Sequence, residues 1–206
     1  MSRIVVKVCG VTEERDAIEA SLLGVDAIGF RFSEGGPRGI LPEAARRISD
    51  RLPALVGRVG VFAGDPLIRV LEVARTAGLT SLELRGSEDA GFCAALAPYA
   101  WYRAVPFRPA TTAEWFEGYP CTTFLLDGSA WPGGGEPDWK RARSFSLHGR
   151  LILSGAFDPE SVLRAIEAAR PYGIDVSRSV EIAPGKLDVD KLEAVVEAVR
   201  RAERDL

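Results

Sequence analysis

Residues 3–24 read RIVVKVCGVTEERDAIEASLLG. The opening RIVVKV is a β-branched apolar run, the pattern of a parallel strand buried on both faces. From Thr12 the period changes. Ala17, Ile18 and Leu22 recur near helical spacing, with Thr12 placed to cap the helix. The turn between the two patterns is Cys9-Gly10-Val11-Thr12. It lacks the Gly-x-Gly-x-x-Gly of an open dinucleotide-binding sheet, whose glycines let the backbone approach a pyrophosphate.

The same unit recurs down the chain. Further strands are predicted at 26–32, 56–62, 81–84, 100–105, 122–127, 150–155 and 173–177. Helices are predicted at 42–52, 65–78, 88–96, 158–169 and 187–203, with a weak one at 112–117 and a short one from Asp138. Asp65 and Pro66 stand as N-cap and first helical residue of the third helix. Eight strand-helix units predict the α/β class and a compact closed (β/α)8 TIM barrel, one domain over 1–206. The alternative is an open α/β sheet. At 206 residues the chain is short for a barrel, which typically takes roughly 250. Tight loops and stunted helices after strands five and six are therefore expected.

Composition excludes several functions. The formal charge is -3 and the pI about 5.4, with no block of Lys and Arg, so no nucleic-acid footprint is expected. No apolar run approaches the roughly eighteen residues of a membrane span. No signal-peptide core precedes the first strand. Cys9, Cys93 and Cys121 are odd in number and far apart, which argues against a disulfide framework and fits a reducing cytoplasm. The single histidine, His148, sits in the polar stretch SFSLHGR, a poor place for a Ser-His-Asp mechanism. Without Cys-x-x-Cys pairs, no His/Cys metal site is expected.

In such a barrel, chemistry sits where strands end and their loops begin. Strand one ends at Cys9, strand six at Asp127, strand seven in Ser154-Gly155-Ala156, and strand eight leads to Ser177-Arg178-Ser179. Loops at the last two positions often bind phosphate through backbone N–H groups, and Arg178 adds charge. Asp127 closes the apolar FLL run, as a turn former or as a site carboxylate suited to general acid work. Cys9 is either a small buried hydrophobe or a base. Lys7 shares its side of the strand, and a cation there favours thiolate. Arg38 is placed to grip a carboxylate or phosphate. Asp175 lies inside the eighth strand, where a charge needs the mouth or a partner. Trp131 and Trp139 flank a Gly-rich stretch; one is placed to cover an aromatic ligand, while Trp139 reads as loop packing. Cys93 and Cys121 read as packing residues.

These points coincide with a known family. VKVCGVT resembles the Lys-(Ile/Val)-Cys-Gly-(Ile/Val)-Thr of phosphoribosylanthranilate isomerases. DAIGFRF with GPRGI, VGVF, LLDG with GGGEPDW, LILSGAFDPESV and GIDVSRSVEIAPGKLD extend the resemblance nearly end to end. The resemblance implies an isomerase of tryptophan biosynthesis, with a phosphosugar as its small-molecule substrate and no cofactor or metal. The reaction is an Amadori rearrangement of N-(5-phosphoribosyl)anthranilate to 1-(2-carboxyphenylamino)-1-deoxyribulose 5-phosphate. It further implies Asp127 as the acid that opens the ring and Cys9 as the base at C2. Arg38 would hold the anthranilate carboxylate, Asp175 would orient the nitrogen side, and Gly155, Ala156, Ser177, Arg178 and Ser179 would hold the phosphate. A monomer or a homodimer is compatible with it.

Four departures from the family pattern stand out. Gln-Leu-His-Gly after strand four is Glu83-Leu84-Arg85-Gly86. Gly-Gly after strand seven is Gly155-Ala156. Ser-Ser-Gly after strand eight is Ser177-Arg178-Ser179, where a serine accepts positive φ less readily than glycine. The loop after strand six carries Gly133-Gly134-Gly135. These changes keep two alternatives open: a silent phosphosugar-binding relative, and an isomerase of a different aminoaldose phosphate.

Overall fold

The computed structural model describes residues 3–32 and 36–205. Ser33, Glu34 and Gly35, part of the loop expected after the second strand, lie outside the described residues. The chain runs β1 (Val5–Cys9), α1 (Glu14–Leu22), β2 (Ala27–Arg31), α2 (Pro42–Arg51), β3 (Gly57–Phe62), α3 (Leu67–Ala77), β4 (Ser81–Leu84) and α4 (Ala90–Ala95). It continues β5 (Ala100–Pro106), β6 (Thr123–Asp127), α5 (Trp139–Ala142), β7 (Arg150–Ser154), α6 (Pro159–Ala169) and β8 (Gly173–Val176). A hairpin, β9 (Glu181–Ala183) with β10 (Lys186–Leu187), precedes α7 (Val189–Asp205).

All eight strands β1 to β8 pair in parallel, and β8 pairs back onto β1, so the sheet is a closed barrel. The open-sheet alternative is excluded. Val6, Val8, Ile28 and Phe30 are buried against the surrounding helices. Ala27, Val59, Tyr102, Ala104, Leu125 and Ile152 fill the barrel itself as a separate cluster. This alternation is the period of two that a strand imposes. The helical ring thins where the sequence predicted it. After β5 there is one 3₁₀ turn, Ala113–Trp115, in place of the helix expected at 112–117. After β6, α5 has four residues and continues as 3₁₀ through Leu147.

Neither N-cap expected from sequence, at Thr12 and at Asp65, forms, whereas α6 has a cap that sequence reading did not single out. Asp158 caps α6 through the backbone N–H groups of Glu160 and Ser161, with Pro159 in the first turn. Thr12 does not cap α1. The N-cap is Glu13, without a side-chain bond, and the Thr12 hydroxyl donates instead to the Gly185 carbonyl at 2.9 Å. Pro66 has extended backbone (ψ 143°) and stands outside α3, so Asp65 accepts from Ala63 N–H and Arg69 rather than capping.

The β9–β10 hairpin was not expected from sequence. Gly185 at its tip has φ +82°, and a Cβ there would lie 2.7 Å from the Pro37 carbonyl oxygen. The hairpin therefore packs tightly against the loops that follow β1 and β2.

Candidate functional site

Strand register builds the site. In a parallel barrel, residues paired across neighbouring strands face the same side. Asp127 pairs with Ser154, Ser154 with Asp175, and Asp175 with Lys7. All four therefore face the interior in one row near the C-terminal ends of their strands. Cys9 lies two residues beyond Lys7, opposite Gly29 of β2. A Cβ on Gly29 would come 3.1 Å from Lys7 Cε and 3.2 Å from Cys9 Sγ. The missing side chain gives both groups their room.

Above this row is a cavity of about 850 Å³. Cys9, Asp127, Arg38 and Asp175 line it, as do Gly155, Ala156, Ser177, Arg178 and Ser179. Every site residue proposed from sequence reaches this wall except Lys7, which lies beneath it. His148 is elsewhere, stacked on Phe116 before β7. Trp139 is buried against Phe107, as the packing reading required, although its edge reaches the cavity. Trp131 leans on the same phenylalanine and also faces the cavity. Among the described residues, no group of three or more His, Cys, Asp or Glu side chains could hold a metal ion.

The floor of the cavity is a chain of alternating charges. The Ser154 hydroxyl donates to Asp175 Oδ2 at 2.9 Å, and Lys7 Nζ donates to Asp175 Oδ1 at 2.5 Å. Lys7 also reaches Glu83 Oε2 on β4 at 3.0 Å. Arg85, one residue past β4, donates from Nε to Glu83 Oε1 at 2.5 Å and from Nη1 to Asp127 Oδ2 at 2.7 Å. The Tyr102 hydroxyl donates to Glu83 Oε2 at 2.9 Å. Lys7, Glu83 and Asp175 are at most 2 % exposed, so each charge depends on its partners.

Those partners set the protonation states. Burial pushes Glu83 upward, but Lys7 and Arg85 outweigh it and hold the carboxyl at about 2. Burial and the neighbouring Glu83 charge raise Asp175 above its ordinary value despite Lys7. Burial works against the Lys7 ammonium, yet Asp175, Cys9 and Glu83 raise it well above the usual lysine range. Cys9 follows a different balance. Burial pushes its thiol up to about 11, with Asp175 and Glu83 adding to the rise. Lys7 and Arg85 pull the other way, as a nearby cation should, but do not prevail. At neutral pH the resting group is therefore a thiol: Lys7 favours thiolate, as expected from sequence, but burial outweighs it.

Arg38 is gripped by Glu181 of β9, Nε to Oε1 at 2.8 Å and Nη2 to Oε2 at 2.5 Å. The hydroxyls of Ser177 and Ser179 are buried without a partner at the cavity wall. Arg178, beside them, is exposed. Among described non-glycine residues only Arg170 has positive φ, so the serine at position 179 costs no backbone strain. Sequence reading missed Glu83 and Glu181 as site residues. Glu83 and Arg85, two apart at a strand end, share a face; that spacing was the available signal. For Glu181 there was none, because the hairpin was not foreseen.

Residues 6–198 match the family model described as N-(5'phosphoribosyl)anthranilate (PRA) isomerase. The N-(5'-phosphoribosyl)anthranilate isomerase of Syntrophus aciditrophicus is 38% identical over 200 residues, 95% of this chain and 87% of that one. The phosphoribosyl anthranilate isomerase of Thermus thermophilus superposes with TM-score 0.87 at 36% identity, covering 96% of this chain and 99% of that one. A third structure is described as the isomerase in complex with reduced 1-(o-carboxyphenylamino)-1-deoxyribulose 5-phosphate. It has TM-score 0.85 and 33% identity over 96% of this chain and 99% of its own. With barrel, cavity and sequence in agreement over nearly its whole length, the chain belongs to the N-(5'-phosphoribosyl)anthranilate isomerase family.

Proposed function

We propose that this chain, as one (β/α)8 domain over 1–206, isomerises N-(5'-phosphoribosyl)anthranilate to 1-(2-carboxyphenylamino)-1-deoxyribulose 5-phosphate. The observation that carries the assignment of roles is one cavity holding an acid, a thiol and unpartnered hydroxyls. Asp127 gives a proton to the ribose ring oxygen, the C1–O bond breaks, and an iminium forms between C1 and the anthranilate nitrogen. Cys9 takes the proton from C2, and the electron pair moves into the C1–C2 bond to neutralise the iminium. The enolamine then tautomerises to the ketone, moving a proton from the C2 hydroxyl to C1.

The resting Cys9 is a thiol, so it becomes the base only after its own proton has left to solvent through the cavity it lines. The iminium is a cation beside C2, and it offsets the two carboxylates that hold the Cys9 proton. The substrate itself thus favours thiolate at the step that needs one. Ser177 and Ser179, with Arg178 and the backbone at Gly155 and Ala156, are suited to the phosphate. Arg38 holds the anthranilate carboxylate with the nitrogen that Glu181 leaves unused. Asp175 faces the nitrogen side and anchors Lys7.

The test is turnover of N-(5'-phosphoribosyl)anthranilate, followed by loss of anthranilate-type fluorescence, for wild type, Cys9→Ser and Asp127→Asn. Strong wild-type activity that collapses in both variants is expected. A folded wild type without turnover would sink the reading and move attention to another phosphosugar.

A further inference from the structure

We propose that Arg85 is a positioning residue for Asp127, and that Glu83 holds Arg85 in place for that task. The inference rests on the reading of Asp127 as the acid. Asp127 ends β6 at the cavity wall, and its two oxygens have separate holders. Oδ1 accepts the Ser129 backbone N–H at 3.0 Å, and Oδ2 accepts Arg85 Nη1 at 2.7 Å. The terminal torsion of a carboxylate is otherwise broad; gripped at both oxygens, it has one orientation.

Arg85 is not free to follow a moving carboxylate. Its Nε is bound to Glu83 Oε1 at 2.5 Å, and Glu83 Oε2 is held by Tyr102 and Lys7. A guanidinium makes these bonds through different nitrogens of one rigid plane, so anchoring Nε sets the direction of Nη1. The route matters because β4 and β6 are not neighbours: β5 lies between them. No backbone ladder aligns Glu83 with Asp127. The side-chain bridge through Arg85 does.

General acid catalysis depends on where the proton is delivered, and a misplacement of about 1 Å costs on the order of 100-fold. The test is read on the pH plateau, where protonation is not limiting.

The measurement is kcat and KM for wild type, Arg85→Met, Arg85→Lys, Asp127→Asn and the double variant Arg85→Met/Asp127→Asn. Arg85→Met is expected to lower kcat roughly 10- to 100-fold with KM within about threefold. Arg85→Lys, which keeps the charge without the fork, should recover part of that loss. On the Asp127→Asn background, Arg85→Met should cost less than about threefold more, because no aimed acid remains. A wild-type kcat in Arg85→Met, or a loss that multiplies undiminished onto Asp127→Asn, overturns the proposal. Full activity of Asp127→Asn would instead remove the acid assignment itself, and is seen without touching Arg85. If near-UV circular dichroism shows Arg85→Met unfolded, Glu83→Gln enters the same cycle. It keeps shape and an acceptor, loosens the arginine, and should lower kcat only when Asp127 is present.

Discussion

Lys7 on β1 crosses the barrel interior to Glu83 on β4, Nζ to Oε2 at 3.0 Å, while the same ammonium holds Asp175 of β8 at 2.5 Å. One buried cation thus ties together three strands, of which β4 neighbours neither β1 nor β8 in the sheet. Its removal would leave two carboxylates buried without it.

Lys7→Met is accordingly expected to destabilise the fold by about 3–5 kcal/mol, the cost of breaking a buried ionic cluster from one side. Urea unfolding reads this as a fall in midpoint. Replacing Glu83 by Gln in the same chain should return part of the loss. A change below about 1 kcal/mol would mean that solvent reaches the cluster.

Cys9 should titrate far above an ordinary thiol. In a Cys93→Ala/Cys121→Ala background, thiolate absorbance in the ultraviolet is expected to rise with a midpoint at about 11. The folded protein then holds the proton more tightly than the unfolded chain. This contribution to stability is full below the ordinary value of 9.0 and is lost as pH rises through about 11. A midpoint near 9.0 would show that Lys7 fully offsets burial, and one below it that Lys7 prevails.

Ser177→Ala and Ser179→Ala remove hydroxyls that have no protein partner. If these hydroxyls meet the phosphate, each substitution should raise KM roughly tenfold or more, the worth of a hydrogen bond to a charged group, with stability unchanged. Arg178→Ala should likewise weaken binding more than it slows chemistry. Inhibition by inorganic phosphate is the second readout and should weaken in parallel. An unchanged KM in all three variants would place the phosphate elsewhere.

Arg38 and Glu181 make the remaining contact to test. Arg38→Met should raise KM about tenfold or more with little change in kcat. Glu181→Gln leaves the guanidinium in place but loosens its anchor, so a smaller rise is expected. Equal effects of the two variants would mean that anchoring, rather than direct contact, is what the substrate needs.

Much of this was legible before the fold. The strand at Val5–Cys9, the helix that follows β7 and the thin helical ring after β5 and β6 follow from short-range patterns. Periodicity, capping chemistry and Gly/Pro placement act within a few residues, and a sequence displays them directly. The placement of Cys9, Asp127 and Ser177 at one mouth also followed, because a parallel barrel puts all strand ends on the same side. Thr12 and Asp65 failed as caps because a tertiary contact, Gly185, and an extended Pro66 competed with local geometry.

The sequence alone therefore determined eight strand-helix units, favoured a barrel over an open sheet, and set which residues would stand at its mouth, since these depend on local pattern and order along the chain. Tertiary structure decided what those residues are. Closure brings Lys7 against Glu83 and Asp175, and burial then outweighs the cation beside Cys9, leaving a thiol. Desolvation and charge pairing depend on distances through space, between residues that the chain keeps far apart.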